Sequence, residues 1–190
     1  ERIQGLRIFC EYRDSRSFPL LLPLLDQPCP VERMSVVYAL GRNPCPSAVE
    51  KLVSLLETDD NAYVRRATAW SLANYDNQIV LKPLINALKN DVAAVRLWSS
   101  SSLAEIGNVS LENAQLAAEQ LLISLKIDNE PGVRSNCIWS LCRLYEKLND
   151  TFQESFVDEC TKIALFDKEP SVMEEAKTAL DSMGMQGFYN

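Results

Sequence analysis

The side chains best placed to do chemistry in this 190-residue chain are rings and guanidinium groups recurring at one helical position. Tyr38, Trp70 and Trp139 occupy the same place in a motif repeated along the chain. Arg42, Arg66, Asn74 and Arg143 each stand four residues before or after one of them. Residues four apart share a helix face, so these seven form a stripe on successive helices. Large rings bordered by arginines are the commonest hot spots of protein interfaces, so the stripe reads as a partner-binding groove. The competing reading is that each ring covers its neighbouring helix and is packed. Trp98 fills space between two of these helices or joins the same patch.

Catalysis and metal binding have less to work with. Histidine is absent, which removes the commonest general base and metal ligand. The serine run Ser99–Ser102 lacks a base to activate it and reads as small residues at a tight contact, with buried hydroxyls bonding one turn back. The six cysteines contain no C-x-x-C pair. Cys137 and Cys142 are five apart on one helix and diverge by about 140°. Cys29 and Cys45 lie in Pro-Cys-Pro turns on either side of a helix, roughly 18 Å apart, too far to share one ion. The expectation is no metal and no catalytic residue. A cluster shared with a second protein through an exposed Cys29 or Cys45 is the minor alternative.

The positioning elements come from a repeat. Val64-Arg65-Arg66-Ala67-Thr68-Ala69-Trp70-Ser71-Leu72 recurs from Glu32, Val95, Val133 and Val172, and Leu40, Leu72, Leu103, Leu141 and Leu180 stand eight residues into each copy. Copies are about 31 to 39 residues apart, the period of stacked helical pairs. This predicts an all-α fold: a right-handed alpha-solenoid of about five helical-pair repeats with a terminal capping helix over residues 1–14, one domain spanning 1–190. In each repeat an apolar helix A is followed by a polar turn and helix B, and the B helices line the concave surface. Arg33, Arg65, Arg96 and Arg134 share one column and read as structural ladder residues. They pair with turn aspartates Asp59, Asp128 and Asp167 of their own or the next repeat, and those aspartates also accept the free N–H groups opening helix B. Residues 107–117 and 146–155 read as longer connections, with Asn108-Val109-Ser110 as a possible start of the next helix A, and the tail Met183–Asn190 as frayed or loosely packed.

Bulk composition narrows the partner. Twenty-six acidic against 19 basic residues give a net charge of −7, which disfavours nucleic acid. No apolar run is long enough for membrane insertion. The cysteine usage suggests a reducing cytoplasm.

Leu81-Lys82-Pro83-Leu84-Ile85-Asn86-Ala87-Leu88, followed by Val95-Arg96 and Leu103-Ala104-Glu105-Ile106-Gly107, resembles a HEAT-type repeat. More narrowly that repeat is similar to the short repeats of the cyanobacterial phycobilisome-lyase group, and Tyr38-Ala39-Leu40-Gly41-Arg42-Asn43-Pro44 with Arg134-Ser135-Asn136-Cys137-Ile138-Trp139-Ser140-Leu141 resembles one branch, a small HEAT-repeat protein that partners an A-type iron–sulfur scaffold. The resemblance implies a cytoplasmic, non-enzymatic adaptor or chaperone-like scaffold for a protein partner, tied to iron–sulfur or iron homeostasis. The alternative it implies is a bilin lyase subunit or phycobiliprotein chaperone, with a linear tetrapyrrole bilin, or a shared iron–sulfur cluster, as cofactor. No catalytic motif carries over.

Overall fold

In the computed structural model, residues 2–76, 78–185, 187 and 189 are described. Among them all regular structure is helical: α1 (Arg2–Glu11), α2 (Phe18–Leu21), α3 (Pro30–Arg42), α4 (Val49–Thr58), α5 (Ala62–Leu72), α6 (Leu81–Asn90), α7 (Ala93–Gly107), α8 (Leu111–Ile127), α9 (Pro131–Leu144), α10 (Asp150–Phe166) and α11 (Pro170–Ser182), with short 3-10 turns between some of them. The chain forms two compact units, Glu1–Ser102 and Leu103–Asn190, dividing inside α7. No helix among the described residues is long and apolar enough to cross a membrane.

Local chemistry sets the boundaries. Proline opens α3, α9 and α11, where its missing N–H costs nothing. Asn61, Ser110 and Asn149 cap α5, α8 and α10 by accepting N–H bonds from Tyr63, Asn113 and Phe152. At the other end of α11, Gly184 takes φ +76° and lets the Met185 N–H reach the Leu180 carbonyl at 2.9 Å. The first part of the tail is thus a formed helix stop rather than a frayed one. Gln186, Phe188 and Asn190 of the expected tail lie outside the described residues.

In the first unit α1, α3 and α5 pack side by side as a layer of B-type helices, with α4 against α5 and α6. In the second unit α8 packs on α9 and α10 on α11, while like packs with like, α9 with α11 and α8 with α10. Leu40 and Leu72 in the first unit, and Leu103, Leu141 and Leu180 in the second, are fully buried. That explains why one leucine column persists through every copy.

Most of the two longer connections is helix. Residues 111–117 and 150–155 are extra turns of α8 and α10, each 17 residues against 10 in α4 and α6. Leu111-Glu112-Asn113-Ala114-Gln115-Leu116-Ala117 is good helix material behind a serine cap, so the added length propagates as helix.

One buried polar side chain ties the first unit together. The Tyr75 hydroxyl donates to the Leu40 carbonyl at 3.0 Å and accepts the Cys45 N–H at 3.4 Å. Burial pushes its pKa up to about 12, with the Cys45 amide pulling the other way, so it stays a neutral donor. Tyr75→Phe leaves a buried carbonyl and amide unpaired and is expected to cost about 1–2 kcal/mol in denaturant unfolding.

Candidate functional site

The arginine column forms a ladder between repeats. Arg33 Nε and Nη2 fork onto the Asp59 carboxylate at 2.8 and 2.9 Å, while Nη1 donates to the carbonyls of Gln27 and Pro28 in its own turn. Arg65 repeats the pattern with Asp91 at 2.8 and 2.7 Å and the Asp59 carbonyl at 2.8 Å. Arg134 does so with Asp167 and the Asp128 carbonyl. Arg96 Nη1 donates to the Asp91 carbonyl at 2.9 Å. Each fork takes the next repeat's carboxylate, and each remaining nitrogen takes a backbone carbonyl of its own turn. Planar bidentate geometry of this kind is available to arginine alone.

The aspartates do something different from helix capping. Asp59, Asp128 and Asp167 each end a helix A and accept the N–H two residues on, from Asn61, Glu130 and Glu169. They stand two residues before the cap of helix B, so their reach is an Asx turn shaping the A–B corner. Asp26 pairs with Lys51 instead.

Burial of Asp59 raises its pKa, but the Arg33 fork, the Asn61 N–H and the charges of Arg33 and Arg65 outweigh it, so the net shift is downward. Asp91 and Asp167 are lowered by the same opposition, with Arg65 and Arg134 as counterions. A carboxylate whose folded pKa lies below its unfolded value of about 3.9 stabilises the fold above that pH. That stabilisation is lost as pH falls through the folded value. Melting temperature should therefore hold from neutral pH down to about 4 and drop steeply below it. Asp167→Asn should give a lower melting temperature at neutral pH and a shallower acid limb.

On the opposite edge of the B helices lies a stack of rings and cations. Arg42 Cζ sits 5.4 Å from the Trp70 ring, and Trp70 meets Tyr38 at 5.3 Å with planes tilted 56°. The Tyr38 hydroxyl accepts a long bond from Arg66 Nη2 at 3.4 Å, and Arg66 Cζ in turn lies 5.5 Å from the Tyr63 ring. Arg66 Nε is buried without a hydrogen-bond partner. The two rings are half-buried, so they cover a neighbouring helix and also present a face. Trp70 lies against Gly41: a Cβ there would stand 2.5 Å from Trp70 Cζ3.

This stack floors a groove of about 430 Å³ lined by Ile3, Arg7 and Cys10 of α1, Met34, Tyr38 and Arg42 of α3, and Trp70 of α5, among others. Burial raises the Cys10 pKa, against the opposing pull of Arg42, so the thiol in this groove is no ready nucleophile. Two larger concavities follow the A–B turns, of about 590 and 480 Å³, but they hold the paired ladder residues Arg65 with Asp91 and Arg134 with Asp167. The B-helix groove is the one whose lining arginines, Arg7 and Arg42, have no carboxylate partner among the described residues.

Other expected residues sit elsewhere. Asn74 is beyond the end of α5, folds its amide back to the Ser71 carbonyl at 3.3 Å, and does not line the groove. Extrapolating the stripe by another turn overran the helix. Trp139 is exposed in the second unit, with Arg143 Cζ 5.0 Å from its ring, and Arg143 is paired to Glu105 at 2.8 Å. Cys29 is exposed, but Cys45 is buried with its Sγ 3.0 Å from the Ser47 hydroxyl. The turn that carries Cys45 folds under α5 through Tyr75, so this thiol is not offered to a second protein. No group of three metal-ligating side chains gathers among the described residues. In the serine run, Ser100 bonds back to Leu97, Ser102 donates across to the Ala69 carbonyl of α5 at 2.8 Å, and Ser99 Oγ has no partner.

The wall supplied by α1 was missed by sequence reasoning. Ile3, Arg7 and Cys10 have i, i+4, i+7 spacing, the same helical stripe as Met34, Tyr38 and Arg42, and that was the available signal.

A family profile described as HEAT repeats matches residues 1–73 and 49–142. Among curated proteins nothing matches. Solved structures share the fold at low identity. The complex of CpcE and CpcF of phycocyanin lyase from Nostoc sp. PCC7120 is 23% identical over 87% of this chain and 99% of that one, with a TM-score of 0.67. A designed armadillo repeat protein in complex with peptide (KR)4 is 18% identical over 99% and 91%, with a TM-score of 0.66. An engineered protein is 20% identical over 95% and 90%, also at 0.66. With the family profile spanning most of the chain and the helical pairs stacked through a repeated arginine–aspartate ladder, this protein belongs to the HEAT-repeat family.

Proposed function

We propose that this protein is a non-enzymatic scaffold that binds a protein partner in the B-helix groove of its first unit. The observation that carries the reading is the stack of Arg42, Trp70, Tyr38 and Arg66 beside an apolar groove, with rings half-exposed and cations that have no carboxylate partner among the described residues. Aromatic and arginine anchors over a concave apolar floor are the residues on which interface energy concentrates. Trp139 with Arg143 is a second candidate contact, on the second unit. A cytoplasmic setting is part of the same proposal. The partner contemplated from the sequence, an A-type iron–sulfur scaffold, gains no support from the arrangement of Cys29 and Cys45, one exposed and one buried.

Affinity capture with Tyr38→Ala/Arg66→Ala against wild type tests the reading. The variant is expected to keep its helical circular dichroism and lose the proteins that wild type retains. Unchanged retention would show that the groove is not the site.

One observation favours a second reading, a subunit or chaperone for bilin attachment to a phycobiliprotein. The groove offers rings to a flat conjugated ligand and unpaired arginines to its carboxylates, and a phycocyanin lyase complex shares the fold. Mixing with biliverdin should then shift its visible spectrum in wild type but not in Arg42→Ala/Arg66→Ala. An unshifted spectrum at micromolar protein counts against it.

A further inference from the structure

Resting on the reading of the first unit's groove as a partner site, we infer that the partner enters it with an acidic peptide segment, a large apolar side chain flanked by aspartate or glutamate. The chain carries a net charge of −7, yet this groove runs against that sign. Among the described residues its lining contains Arg7 and Arg42 and no carboxylate. Arg66 extends the same stripe, held among the described residues by the Tyr38 hydroxyl and the Tyr63 face, with Nε buried and unpaired.

The contrast with the ladder arginines and with Arg143 makes this informative. Arg33, Arg65 and Arg134 are each forked by an aspartate, and Arg143 is paired with Glu105. Arg42, exposed and stacked on Trp70, and Arg66, half-buried against Tyr63, have no carboxylate partner among the described residues and are poised to take one from outside. Cys10 reports the local field: after burial, the strongest charge acting on its thiol is Arg42, ahead of the opposing Glu11, and Arg7 adds to it. The apolar floor of Ile3, Met34 and Trp70 gives the anchor its place. A groove of about 430 Å³ lies within the ~300–1,000 Å³ range of side-chain and small-ligand pockets, so it fits a segment, not a domain face. Opposite charges on groove and segment would also steer encounter and make binding salt-sensitive.

Selection of a random peptide library on the full protein, followed by fluorescence anisotropy with the most enriched peptide, tests this. The expected outcome is enrichment of Asp and Glu around a large apolar residue, weakening with added salt. Arg7→Glu and Arg42→Glu, both at exposed positions, should each weaken binding by about tenfold or more while circular dichroism stays the same. Peptides lost on Tyr38→Ala but neutral or basic, or indifferent to both charge reversals, would overturn the acidic segment and leave the groove as the partner site. Absence of any enriched peptide, or binding that none of the three variants changes, would overturn both. Self-association that Arg42→Glu abolishes and that blocks the peptide would put a second copy in the groove and overturn a separate partner.

Discussion

Asp59→Ala is expected to lose about 3–4 kcal/mol of folding free energy at neutral pH, measured by urea unfolding. The Asp59 side chain is 3% exposed and accepts three bonds, two from the Arg33 fork and one from the Asn61 N–H. Removing it leaves a guanidinium that is itself only 16% exposed, facing no anion, and opens the corner between α4 and α5. Breaking an exposed pair such as Arg16–Asp14 should cost far less under the same test. Burial and bidentate geometry separate the two cases. Asp59→Asn should recover part of the loss, because its carbonyl oxygen can still accept the Asn61 N–H. A loss below 1 kcal/mol for Asp59→Ala would mean that stacking rests on the leucine column alone.

Gly41→Ala is the second large effect, and here two terms compete. Alanine is worth about 1 kcal/mol over glycine inside a helix. The new Cβ would however stand 2.5 Å from Trp70 Cζ3, 3.0 Å from Ser71 Oγ and 3.2 Å from Ser71 Cα. The last of these is backbone of α5 and cannot swing aside, so α3 and α5 must separate or Trp70 must leave its place. Overpacking of this kind costs about 1–3 kcal/mol, which exceeds the propensity gain. The expected result is a lowered melting temperature together with a changed near-ultraviolet tryptophan signal. Because Trp70 floors the groove, the same variant should also weaken partner capture. A stabilised Gly41→Ala protein would show that the ring is not held against α3.

What the sequence disclosed follows from what the chain repeats. The leucines from Leu40 to Leu180 and the arginines from Arg33 to Arg134 answer the same packing demand in successive copies, so alignment of the chain with itself exposes them. The identity of each arginine's acceptor was only half legible. The fork reaches forward to the next repeat while Nη1 reaches back to its own turn, and no periodicity distinguishes those directions. The groove was less legible still. Its floor, Tyr38 and Trp70, came from one column, but its far wall is α1, which lacks a repeated partner to align with. The charge contrast between Arg42, which has no carboxylate among the described residues, and Arg143, which has Glu105, depends on how neighbouring helices set their side chains. The start of α8 was legible at Asn108-Val109-Ser110, while the helicity of 150–155 behind Asn149 could have been read from its cap in the same way.

The central claim is that the groove between α1, α3 and α5 receives a protein partner. Placing a photo-crosslinking amino acid at Met34, inside the groove, and separately at Leu20, an exposed position on α2, tests it directly in a lysate of the source organism. A discrete cross-linked species from position 34 and none from position 20 is predicted, with the species lost when Arg42→Glu is added. Cross-links from position 20 with none from position 34 would contradict it.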